Sequence, residues 1–489
     1  MTALALVAAE TASADGSVRA KGSWSMVSQV KDANGDGFID GDGGVPRRGA
    51  LSLQPAATFV GAGNRIAQPN ERLISGTTSW YLSPRGFPVS LNACTSTGDR
   101  FRWTIRQADT VVSRITWKPL TRKACRQTIF LPEAEYTFVL EVAGHGRRDE
   151  IVIPATVSNI LVVALGDSYA SGEGNPRNVE AWLRQAGTFT PYWDDDACHR
   201  STRAAPAQAA LTLEKSSPAT SVTLVFLACS GATVDRGILG AQVGARQSAS
   251  QIEQATAILG GRAADLVLLS IGGNDVGFTS LLATCALNAN CPTVRATSAP
   301  LSSYPTVQDG VQAKTATLPG SLDRIASCLG AAPCVLTDGR TVPGIPLSAN
   351  ARVFPSLYPD ITRAADGQPC TYLTIPQRDF AWARETILNP APPAAYVYPL
   401  TRGGSVTLSV ASGSLNQQLA ASARIPGWQP VIGAWSASGS TPEGHGVCAG
   451  DTAWVFPFTA LSGFTSASFH PNPAGQAVLG RAISAAVTG

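Results

Sequence analysis

The stretch ILVVALGDSYASGEG (Ile160–Gly174) decides the fold. Ile160 to Leu165 form an unbroken apolar run, the texture of a strand covered on both faces. Gly166 ends the run and small polar residues follow. Two later stretches repeat the pattern: SVTLVFLA (Ser221–Ala228) runs into CSGAT (Cys229–Thr233), and LVLLSI (Leu266–Ile271) runs into GGNDVGF (Gly272–Phe278). Between them, Ala204–Lys215 and Ser248–Leu259 repeat apolar residues at three- and four-residue steps, the spacing of an amphipathic helix. Strands alternating with helices predict an α/β domain built on a parallel sheet.

Before this segment the texture differs. From about residue 16 to 155, short β-rich runs such as Phe101–Ile105, Thr128–Leu131 and Tyr136–Val142 alternate with Gly, Pro, Asn and Asp turns, which predicts an all-β sandwich. Cys94, Trp103, Cys125 and Tyr136 suggest an immunoglobulin-like arrangement, with a disulfide between sheets packed on an aromatic. A chain of 489 residues is long enough for two domains. The division expected is residues 1–14 as the remnant of a signal peptide, 15–156 as the sandwich and 157–489 as the α/β domain. Residues 286–320 and 388–410, rich in Pro, Thr, Ser and Ala, read as long loops.

Composition narrows the class. Apolar residues make up 44% and charged residues 15%, which describes a globular chain rather than a disordered one. The net charge of +3 is scattered with no basic run, so nucleic acid is not an expected partner. Ten cysteines, with no paired CxxC zinc pattern, predict five disulfides and an oxidising compartment. The apolar run Ala3–Ala9 and the small-x-small Ala12-Ser13-Ala14 resemble the tail of a signal peptide. No later window approaches a membrane span, so a secreted, extracellular protein is expected; a monomer is the expected state.

All three strands deliver glycine and small polar groups to one edge, where open α/β sheets bind ligands. A serine hydroxyl there needs a base within reach and donors for the oxyanion that forms. The histidine that suits this role is His470, in SFHPNPAGQ (Ser468–Gln476), ahead of a helix opened by Pro473. In order, GDS, the glycine of CSGAT, GGND and HPN resemble the motif blocks of the GDSL/SGNH hydrolase family. ACHRS (Ala197–Ser201), LACSGA (Leu227–Ala232) and GHGVCAGD (Gly444–Asp451) are more closely similar to its actinobacterial extracellular lipases and phospholipases.

The resemblance implies a flavodoxin-like parallel sheet sandwiched by helices. It makes Ser168 the nucleophile and His470 the base, with the N–H groups of Ser168 and Gly231 and the side-chain amide of Asn274 as oxyanion donors. One departure stands out: the family's usual Asp three residues before the histidine is Ala467 here. A Ser–His dyad is therefore expected, with a backbone carbonyl near Thr465–Ala467 orienting the imidazole. The expected disulfides are Cys94–Cys125, Cys198–Cys229, Cys285–Cys291, Cys328–Cys334 and Cys370–Cys448.

Asp167 and Asp275 read as loop-fixing carboxylates, and His445 as structural or pocket-lining. His145 and His199 have no neighbours at metal-ligand spacing, so no catalytic cofactor is expected. In DANGDGFID (Asp32–Asp40), Asp32, Asn34, Asp36 and Asp40 are candidate ligands of a structural calcium ion, balanced by an Asx-rich-turn reading. Gly43 stands where an EF-hand carries its bidentate Glu, with Asp42 beside it. The expected substrate is a lipid or other carboxylic ester. The alternatives are acetylated polysaccharide, or a non-catalytic surface-binding role.

Overall fold

The structure, a computed structural model, describes residues 17–32, 34–39, 82, 86–184, 189–242, 249–434, 444–458 and 465–489. The expected leader residues and Asp40 lie outside the described residues. Two compact units emerge: Met1–Val27, Arg85–Asn159 and Ser217–Ser221 form one, and Ser28–Pro84, Ile160–Ser216 and Val222–Gly489 the other.

The first unit holds two antiparallel sheets. β1 (Ser23–Met26), β2 (Phe87–Asn92) and β5 (Arg126–Leu131) form one; β3 (Arg100–Gln107), β4 (Thr110–Pro119), β6 (Ala134–Gly144) and β7 (Arg147–Val157) form the other, in the order β4-β3-β6-β7. Period-two alternation sends Phe101, Trp103 and Ile105 of β3, and Phe138, Leu140 and Val142 of β6, into one buried core with Val89 and Leu91 of β2. Cys94–Cys125 joins the ends of β2 and β5, where Asn92 faces Arg126. It therefore staples two neighbours within one sheet. The cross-sheet disulfide expected of an immunoglobulin-like core is corrected accordingly.

The second unit is the α/β domain. β8 (Ile160–Gly166), β9 (Val222–Phe226), β10 (Ala264–Ser270) and β13 (Leu347–Pro355) form a parallel sheet in the order β13-β10-β8-β9. The segment 428–431 continues it beyond β13, through Gln429 N–H to Val353 O and Val431 N–H to Pro355 O, both 2.7 Å. Successive residues of β8 enter opposite cores: Leu161, Val163 and Leu165 one, Val162 and Ala164 the other. That double burial is why the strands are near-continuously apolar. On the first face lie α4 (Gln251–Leu259) and α6 (Val307–Ser327); on the second lie α3 (Ala205–Glu214) and the C-terminal α9 (Pro473–Thr488). Ser250 caps α4 in a reciprocal capping box with Glu253.

Several boundaries differ from the expectation. The Asp32 loop belongs to the α/β unit, because Val30 and Ile39 are buried among α3 and β9 residues. Residues 217–221 join the sandwich unit, where Met26 N–H bonds Pro218 O at 2.7 Å and Asn159 Nδ2 donates to the Ser221 hydroxyl at 2.8 Å. The second half of 286–320 is helical, as part of α6, and 388–410 contains the hairpin β14 (Ala395–Pro399) and β15 (Ser405–Ser409). A second small hairpin pairs β11 (Pro333–Val335) with β12 (Thr341–Pro343).

Phe226, at the end of β9, is fully buried in the second core. Phe226→Ala is expected to cost about 3–5 kcal/mol through lost burial and the residual cavity. A lower urea midpoint at unchanged slope in equilibrium unfolding checks this.

Candidate active site

β8 delivers the GDS turn. Gly166 has φ 144°, and a Cβ there would lie 2.3 Å from Ser270 O, so glycine is required where β8 meets β10. The buried Gln251 side chain clasps the Gly166 backbone, accepting from its N–H at 2.8 Å and donating to its carbonyl at 2.9 Å. Asp167 caps the short α1 (Ser168–Ser171) by accepting from Tyr169 N–H at 3.0 Å. Ser168 is the first residue of that turn.

β9 delivers Gly231 with φ 82°, and β10 delivers Gly272, Gly273 and Asn274. Neither the Ser168 nor the Gly231 N–H donates to an acceptor among the described residues. One amide hydrogen of Asn274 is committed to Ala232 O, with Nδ2 at 2.9 Å, which aims the side chain and leaves its second hydrogen. The Cys198–Cys229 disulfide ties the ACHRS loop to the Gly231 loop, and Ser230 N–H bonds Cys198 O at 3.1 Å.

His470 lies on the loop before α9. That loop is held from the nucleophile segment: Tyr169 donates its hydroxyl to Phe469 O at 2.9 Å, and Asn175 Nδ2 donates to Pro471 O at 2.7 Å. Both bonds are buried, and they grip the carbonyls on either side of the histidine. His470 Nδ1 lies 3.0 Å from Ser468 O. A carbonyl can only accept, so Nδ1 carries the hydrogen and the neutral ring presents Nε2 as a base. Two carbonyls serve the ring, that of Ser468 and that of Ser466, the second inside the expected 465–467 window. Burial holds the imidazole below its usual value, opposed by the charge of Glu173 and by the backbone carbonyls of Ser468 and Ser466.

Ser168, Gly231, Asn274 and His470 line one cavity of about 540 Å³. Its far wall is apolar, built by Phe278, Leu282 and Leu287 of α5 (Phe278–Leu287) with Leu373, Ile375 and Phe458.

The other singled-out residues fall into place around it. Burial pushes the Asp167 carboxyl up to about 7, opposed by the Tyr358 hydroxyl that donates to it. Tyr358 in turn accepts from Gly273 N–H at 2.8 Å, linking β8, β10 and the loop after β13. Burial likewise raises Asp275, to about 6, while it accepts from Val234 N–H at 3.0 Å. His445 stacks on Trp454 at 3.6 Å and bonds Thr452 O at 2.7 Å. His145 occupies the exposed β6–β7 turn of the sandwich unit. His199 pairs with Glu173 at 2.6 Å. Tyr169, Glu173, Asn175 and Tyr358 were not singled out from the sequence, where only the proximity of the first three to GDS marks them.

The disulfides are Cys94–Cys125, Cys198–Cys229, Cys285–Cys291, Cys328–Cys334 and Cys370–Cys448, the pairs expected, with no free cysteine. Cys285, Cys291 and Asp379 gather three ligand-type atoms, but the two sulfurs are bonded to each other.

In the Asp32 loop, Asp32 is bound by the Lys215 ammonium, Asn34 and Asp36 bond each other at 2.9 Å, and all three accept from loop N–H groups. These bonds make an Asx-rich turn, while the buried Asp32 Oδ1 has no hydrogen-bond partner and Asp40 lies outside the described residues.

No known family model matches the chain. It is 35% identical to Lipase 1 of Streptomyces coelicolor over 167 residues, 34% of this chain and 46% of that protein. It is 34% identical to a lipase of Streptomyces rimosus over 125 residues, 26% of this chain and 34% of that protein. The chain thus spans less than half the length of these curated relatives. Among solved structures it is similar to the extracellular lipase of Streptomyces rimosus, with TM-score 0.37 and 19% identity over 67% of this chain and 98% of that one. A TM-score this low adds nothing to the topology described above. By sequence, part of the chain is thus similar to Streptomyces lipases.

The four histidines make the imidazoles separable by NMR. His470 is expected to titrate below the ordinary histidine value of about 6.5, because burial disfavours its cation. It is then neutral, and competent as a base, through the neutral range.

Proposed function

We propose that the protein is a carboxylic ester hydrolase that works through a seryl acyl-enzyme. The observation that carries this reading is the single cavity in which Ser168, two uncommitted backbone N–H groups, Asn274 and an oriented neutral His470 all meet. The Streptomyces lipases to which the chain is related support it.

In the first half-reaction, Ser168 Oγ attacks the ester carbonyl carbon and passes its proton to His470 Nε2. Negative charge moves to the carbonyl oxygen, where the N–H groups of Ser168 and Gly231 and the Asn274 amide receive it. The alcohol leaves with the proton from His470. In the second, water adds to the acyl carbon through the same base, and the acid departs as Ser168 regains its proton. His470 acts in a dyad: the Ser468 carbonyl fixes the tautomer that a triad carboxylate would otherwise set.

The apolar wall of Phe278, Leu282, Leu287 and Phe458 favours an acyl chain over a sugar, so the substrate class is a lipid or other long-chain ester. Fully paired cysteines favour action outside the cytoplasm.

Hydrolysis of p-nitrophenyl esters of increasing acyl length tests this. The expected rates rise from acetate to medium and long chains, survive EDTA, and fall by at least about 10³-fold in Ser168→Ala. Activity restricted to acetate would remove the lipid assignment; rates unchanged in Ser168→Ala would remove the mechanism.

A further inference from the structure

The position from which an acid would support the histidine is closed. Ala467 is fully buried with Trp182, Trp193 and Phe456, and a carboxylate there would sit in an apolar cluster. The backbone of the same cluster is approached by the nucleophile turn: a Cβ on Gly174 would lie 3.0 Å from the Phe456 ring and 3.4 Å from Ala467. The residue before that glycine is Glu173.

Glu173 is 1% exposed and lines the same cavity as Ser168 and His470. Its Oε2 lies 2.6 Å from His199 Nδ1, while its buried Oε1 has no hydrogen-bond partner. His199 is itself fixed, stacked on Trp193 at 4.7 Å with the rings 2° from parallel. A carboxylate this deeply buried is placed at a cost, which a purely structural salt bridge gives no reason to incur beside a nucleophile. Burial pushes the Glu173 carboxyl up, but the bond and charge of His199, the field of His470 and the Ser230 side chain outweigh it and hold it below the usual range, so it is ionised. Of the groups acting on His470, Glu173 is the one whose negative charge opposes burial; His199 acts in the opposite sense. Asp196 also faces His199.

We propose that Glu173, held by His199, is a positioning residue that supplies the negative charge against which the His470 imidazolium forms, replacing the electrostatic task of the acid absent at position 467. This rests on the hydrolase reading above. It divides the work of one triad carboxylate in two: the Ser468 carbonyl sets the tautomer through a hydrogen bond, and Glu173 stabilises the cation through space. Because Glu173 does not bond the ring, its loss is milder than neutralising a conventional triad acid.

The test is NMR titration of the four imidazoles together with ester kinetics, in the wild type, Glu173→Gln, Glu173→Asp and His199→Asn, with thermal unfolding as a check on folding. In Glu173→Gln the His470 pKa is expected to fall by about one and kcat by about tenfold, with KM within about twofold. Glu173→Asp keeps the charge and is expected to recover most of both. An unchanged His470 pKa in a folded Glu173→Gln overturns the proposal, as does equal loss in Glu173→Asp. If Glu173→Gln does not fold, His199→Asn decides: without the partner that keeps Glu173 ionised and in place, the His470 pKa is expected to fall as in Glu173→Gln, and an unchanged or raised value overturns the proposal. The titration reads the charge coupling without turnover. A wild type that shifts as expected but hydrolyses no ester would therefore contradict the hydrolase reading alone.

Discussion

The site depends on two buried hydrogen bonds that join its halves. Tyr169 and Asn175 follow the nucleophile by one and seven residues, yet they bind the carbonyls flanking His470, some three hundred residues later in the chain. Serine and histidine come from elements with no reason of their own to meet: one ends a central strand, the other precedes the last helix. The two bonds convert a distant pairing into a local one, and α9, packed on the same core as α3, anchors the far side of the loop. A buried hydrogen bond contributes only about 1 kcal/mol net, but leaving its partner unpaired costs more, so the loop has a strong preference for one place.

Burial then sets the electrostatics. Partial burial of His470 favours the neutral ring, which suits a base at rest but opposes the cation that must form during attack. Asp167 and Asp275 show that burial pushes carboxylates near the site upward, to about 7 and about 6. Glu173 escapes this by its pairing with His199. The α/β frame thus holds a firmly ionised carboxylate in the same cavity as the nucleophile, available to the positive charge that develops on His470.

Much of this was legible in the sequence, for identifiable reasons. Strands covered on both faces must be almost wholly apolar, so β8, β9 and β10 stood out, and the polar residues after each marked the ligand edge. The helix α6 was hidden because Gly310, Pro319, Gly320 and several Ser and Thr residues give it a loop-like composition, although its Val311, Leu318, Leu322 and Ile325 are buried. The Asp32 loop was misassigned because chain order suggested membership of the sandwich, while Val30 and Ile39 pack with the other unit. The roles of Glu173, Tyr169 and Tyr358 could not be read at all. Each depends on a partner distant in sequence, and composition carries no record of such pairs.

The central claim is that Ser168 becomes a nucleophile because His470 is held beside it. The most direct measurement is covalent trapping with a long-chain alkyl fluorophosphonate, which phosphonylates a serine only when that serine is activated, followed by peptide mass spectrometry. The account predicts one adduct, on Ser168, formed rapidly in the wild type and lost in His470→Ala. An unlabelled protein, an adduct on another serine, or labelling of Ser168 that persists without His470 would contradict it.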